Sequence, residues 1–109
     1  MKTRKTIREV RIEAAIEAAK RGGWTLKKHE QRGPGDESWR VRVVDYLSFS
    51  RVTGTGFAEL RESMFVSVGH RGAIDATWSW RYFGGEQHET VYLGRTAIVH
   101  VLGRLGDKP

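Results

Sequence analysis

No cysteine occurs among the 109 residues, which excludes a disulfide framework and any thiolate metal site. The N-terminus is charged and lacks the apolar core of a signal peptide, and no apolar run approaches membrane-spanning length. The expectation is a cytoplasmic protein with no membrane partner. Catalytic patterns are missing as well. Thr53-Gly54-Thr55-Gly56 has the glycines of a phosphate-cradling loop without the Lys-Ser/Thr that must follow, and no serine-nucleophile pattern is present. His29, His70, His88 and His100 show no helical ligand spacing, and His88-Glu89 lacks the second histidine of a zinc-protease helix. Asp45, Asp75 and Glu86 are not drawn together by spacing. These absences predict a non-enzymatic protein with no metal, no cofactor and no small-molecule substrate.

What the chain does have is one emphatic strand. Ile74, Ala76, Trp78, Trp80 and Tyr82 alternate with Asp75, Thr77, Ser79 and Arg81. A period of two in aromatic and β-branched residues signals a half-buried strand, because a helical step of two would swing side chains by ~200°. Trp78, Trp80 and Tyr82 are expected to face the core, with Trp78 and Trp80 buried against a helix.

The remaining elements are read around that strand. Thr6-Ile7-Arg8-Glu9 has the form of a capping box, so a helix is expected from Ile7 to Arg21, stopping at Gly22-Gly23. Its polar stripe, Glu9, Glu13, Glu17 and Lys20, is narrow. Ile7, Val10, Ala14 and Ala18 form one apolar flank, and Ile12, Ala15, Ile16 and Ala19 form another, an arc wider than one sheet face needs. Trp24 to Glu30 reads as a strand with Trp24 and Leu26 inward, followed by the loop Arg32-Gly33-Pro34-Gly35-Asp36. Trp39, Val41 and Val43 alternate with Arg40 and Arg42; Asp45 interrupts the pattern before Leu47 and Phe49 resume it, suggesting a bulge or a break. Residues 57–63 have no clear period, and Met64 to Val68 leads through Gly69-His70-Arg71-Gly72 into the organising strand. Thr90 to Leu105 reads as a second helix despite Gly94 and Gly103. The predicted architecture is one α+β domain over 1–109: an antiparallel sheet of about four strands with the N-terminal and C-terminal helices on one face.

The helix, strand, Gly-Pro-Gly loop, strand, turn order is similar to the first half of a double-stranded-RNA-binding domain, carried by Gly33-Pro34-Gly35 and the Trp39-to-Val44 strand. That family places a basic helix after its third strand. Here Phe57-Ala58-Glu59-Leu60-Arg61-Glu62 is followed by another hairpin, so the likeness covers less than half the chain and no site residue is carried over.

Charge supplies the functional expectation. Nineteen Lys and Arg against 13 Asp and Glu give a net charge of +6 and an isoelectric point near 10.1, which biases a small domain toward polyanions. Lys27, Arg40, Arg42 and Arg81 are expected on the outer sheet face with Arg32 and Arg71 beside them, a basic surface for nucleic acid. Tyr46 or Phe83 would offer stacking surfaces. The alternative is a protein-interaction module, a homodimer formed through the Ile12, Ala15, Ile16 and Ala19 flank.

Overall fold

Thr6 starts the first helix as its side-chain chemistry requires. In the computed structural model, which describes residues 5–32 and 44–107, α1 spans Ile7–Arg21. The Thr6 hydroxyl accepts a hydrogen bond from the Glu9 N–H at 3.2 Å. At the other end two glycines do different work. Gly23 has a φ of +79°, the left-handed geometry that stops a helix. Gly22 remains right-handed, but a Cβ there would lie 1.7 Å from the Leu105 carbonyl oxygen, so its role is close approach.

Among the described residues five strands form one antiparallel meander in chain order: β1 (Thr25–Arg32), β2 (Val44–Thr53), β3 (Leu60–Val68), β4 (Ile74–Tyr82) and β5 (His88–Tyr92). A 3-10 turn, Gly56–Ala58, joins β2 to β3, and α2 (Ala97–Gly106) closes the order. The fold is α+β with both helices on one face, one strand richer than the sequence implied. The extra strand is β5. It occupies the start of the segment read as helix, leaving α2 to begin at Ala97. β3 also begins earlier than its apolar pattern suggested, at Leu60, because Glu62 takes a core-facing position.

The inner face carries Asp45, Leu47, Phe49 and Arg51 from β2, Glu62, Met64, Val66 and Val68 from β3, and Ile74 and Ala76 from β4, all buried. The alternation from Asp45 to Arg51 is therefore regular. The bulge lies on β1, where pairing slips between Leu26 and Lys28, and Leu26 is left partly exposed. Trp78 and Trp80 are half-buried and Tyr82 is exposed, a correction to the deep burial expected of all three. Trp78 packs against the core with Arg104 of α2 lying 3.8 Å over its ring, whereas Trp80 is covered by stacking, on Trp78 at 4.1 Å and on His88 at 5.3 Å.

Both helices run the same way. The start of α2 lies near Arg11, and its end meets the end of α1 at Gly22. This packing covers Ile12, Ala15 and Ala19, which are buried, and much of Ile16, which packs against the core. The flank expected to serve a homodimer is thus occupied within the chain. Ile7 and Val10, on the opposite flank, are the exposed apolar residues of α1. Trp39, Val41 and Val43, with the Gly33-Pro34-Gly35 loop, lie outside the described residues.

Candidate functional site

The outer sheet face is built from positions opposite in phase to the core. From β2 come Tyr46, Ser48, Ser50 and Val52; from β3, Arg61, Ser63, Phe65 and Ser67; from β4, Asp75, Thr77, Ser79 and Arg81. Register places Arg61 directly opposite Arg81, with Ser63 opposite Ser79 one step inward. Two like charges facing each other across a strand pair destabilise a sheet. Arg61 is partly relieved by Glu59, whose Oε2 accepts from its Nε at 3.2 Å; Arg81 has no carboxylate partner among the described residues. Both arginines rim a recess of about 230 Å³ floored by Ser63 and Ser79.

Aromatic rings border this arginine pair. Phe57, on the 3-10 turn, is 89% exposed and meets the exposed Phe83 edge-to-face with centroids 5.8 Å apart. Phe83 is held by the hydrogen bond its N–H donates to the Glu59 carbonyl at 2.9 Å. Charge and π-surface thus stand side by side at one end of the outer face.

The basic residues expected from sequence are dispersed. Arg81 is on the outer face. Lys27 sits exposed at the β1 bulge. Arg32 is not in a loop but ends β1, where its Nε donates to Glu30 at 3.1 Å and its guanidinium lies 5.1 Å over the Tyr46 ring. Arg32 and Lys28 together hold the Glu30 carboxyl below its ordinary range, chiefly through their hydrogen bonds. That edge is locally neutralised. Arg71 lies in the β3–β4 turn, at the opposite end of β4 from Arg81. Arg40 and Arg42 lie outside the described residues. Arg61 was missed because it falls in the aperiodic stretch before Met64, and Phe57 with it.

Two buried carboxylates lie on the inner face. Glu62 accepts from Arg51 Nε at 2.7 Å and from Trp78 Nε1 at 3.2 Å. Arg51 also donates to the carbonyls of Gly22 and Asp107, each at 2.6 Å, so one guanidinium serves the C-terminal ends of both helices. Asp45 is bonded to His29 Nε2 at 2.7 Å and Gln31 Nε2 at 3.4 Å, with Arg8 Nε 3.6 Å away. This pair resembles the acid–imidazole half of a catalytic triad, but no hydroxyl nucleophile is bonded to His29 among the described residues. Nor do three or more histidines or carboxylates gather where a metal could be held among the described residues. No described helix is long and apolar enough to cross a membrane. Comparison with protein-family models, with curated proteins and with solved structures finds no match to this chain.

Proposed function

We propose that the protein is a non-enzymatic, cytoplasmic binding protein that holds nucleic acid on its outer sheet face, with Arg61 and Arg81 as the phosphate contacts. The observation that carries this reading is the cross-strand arginine pair beside exposed Phe57 and Phe83. Opposed guanidiniums cost the sheet stability when empty and lose their repulsion when an anion lies between them. Neighbouring rings suit unpaired bases, since every base has a π-face, so a single strand fits better than a duplex. The net charge of +6 would speed encounter.

Fluorescence anisotropy with a labelled single-stranded oligonucleotide of mixed sequence tests the proposal. Affinity should fall log-linearly with salt, at about 0.7 in slope per phosphate contacted. Replacing both Arg61 and Arg81 by Ala should flatten that slope by about 1.4. Absence of binding by the parent protein at low salt overturns the function, and an unchanged slope in the double variant overturns the site.

A second reading, a homodimer, has its own support. Tyr46, Phe65, Val91 and Leu93 line one apolar area at the other end of the outer face, and each is more than a third exposed. Self-association through this area would replace the α1 flank as the interface. Sedimentation equilibrium decides it: a monomer across the accessible concentration range removes the dimer, and Phe65→Ser should dissociate one that forms.

A further inference from the structure

We infer that a second cleft, at the end of the molecule where both helices begin, binds a small organic dianion: a phosphate monoester carrying an apolar group. The cleft has a volume of about 440 Å³, within the span of small-molecule sites. Three separate elements supply its arginines. Arg11 comes from α1, Arg71 from the β3–β4 turn and Arg95 from the junction between β5 and α2. Ile74 and Ile98 supply an apolar wall, and Asp75 the single carboxylate of the lining.

Three guanidiniums against one carboxylate leave two positive charges on the cleft. Among the described residues none of the three arginines forms an ion pair. Arg11 is nonetheless fixed in place, because its Nη1 donates to the Gly72 carbonyl at 2.5 Å and it is half-buried. Its remaining donors are thereby set before a ligand arrives, which lowers the ordering cost of binding. Arg71 and Arg95 are exposed and can close on an anion from either side.

The start of α2 adds to the same field. Its N-cap Thr96 makes no side-chain cap, and its first turn holds no acidic residue, so the positive end of the helix dipole is uncompensated where Ile98 lines the cleft. Ligand class follows from these parts. A phosphate monoester is close to doubly charged at neutral pH and presents oxygens that guanidinium forks bind in pairs. Its organic group would lie on Ile74 and Ile98. Inorganic phosphate lacks the apolar contact, and a monocarboxylate lacks the second charge.

The test is isothermal titration of the full chain with phenyl phosphate, inorganic phosphate and benzoate, with amide shifts mapped by NMR. Phenyl phosphate should bind with Kd below ~1 mM and about tenfold more tightly than either control. Its shifts should centre on the amides of Gly94, Arg95 and Ile98. Replacing Arg71 and Arg95 together by Ala should weaken it by at least about tenfold while leaving the thermal midpoint nearly unchanged, both side chains being exposed. The Arg61 and Arg81 double variant should bind it like the parent, which separates this site from the nucleic-acid surface. No heat with phenyl phosphate, equal binding of inorganic phosphate, or full affinity in the Arg71 and Arg95 variant would each overturn the inference.

Discussion

At the end where α1 and α2 stop, one buried arginine meets the Glu62 carboxylate and the carbonyls of Gly22 and Asp107. At the end where they start, Arg11, Arg71 and Arg95 line one cleft beside the uncapped start of α2, and only Asp75 opposes them in its lining. Parallel helices favour this contrast, since their dipoles add instead of cancelling. The closed end shows how the fold neutralises charge when stability is at stake. The open end leaves three arginines without an ion pair among the described residues, and the Arg61–Arg81 pair sets like charges opposite each other, an arrangement that costs a sheet stability. Charge retained against the interest of the fold is what a binding surface for anions requires.

The closed end should be the easiest to break. Glu62→Ala leaves the Arg51 guanidinium buried without its carboxylate and strips the Trp78 N–H of its acceptor, and should cost about 3–5 kcal/mol by urea denaturation. Pairing it with Arg51→Met should cost less than the sum of the two single changes, because the stranded charge is then removed. Next is Gly22→Ala. Its added methyl would meet backbone rather than a movable side chain, so separating the two helix ends should cost about 1–3 kcal/mol. Loss of a midpoint shift in that variant would mean that the helix ends are not in the contact described.

The two helix starts differ in the same sense on a smaller scale. Thr6→Ala removes a formed cap and should cost about 1 kcal/mol, whereas Thr96→Ala removes none and should stay within about 0.5 kcal/mol. Equal losses in the two variants would show that α2 is capped after all.

What the sequence made legible was local. The Thr6 cap, the Gly23 stop and the period of two in β4 each depend on neighbouring residues, and each appears where it was expected. The features that were hidden depend on distant ones. Glu62 and Arg51 look like surface charges until β2 and β3 pair and place them together under the helix ends. β5 is short and half-polar, Glu89 and Thr90 included, so its apolar residues merged with the helical pattern that follows. Trp80 was expected at the core because its phase is inward, but phase does not reveal how far along a strand the helices reach. The same holds for the proposed sites: Arg71, Arg81 and Phe83 were visible, Arg61 lay in an aperiodic stretch, and Arg11 and Arg95 join Arg71 only through the fold.

The most direct test of charge held against stability is Arg81→Glu, with folding and oligonucleotide binding measured on the same preparation. A glutamate opposite Arg61 converts cross-strand repulsion into an ion pair, worth about 0.2–1 kcal/mol. The urea midpoint should therefore rise while single-stranded binding at low salt is lost. A lower midpoint together with unchanged binding would contradict it: Arg81 would then belong to the fold, and the outer face would not be the nucleic-acid surface.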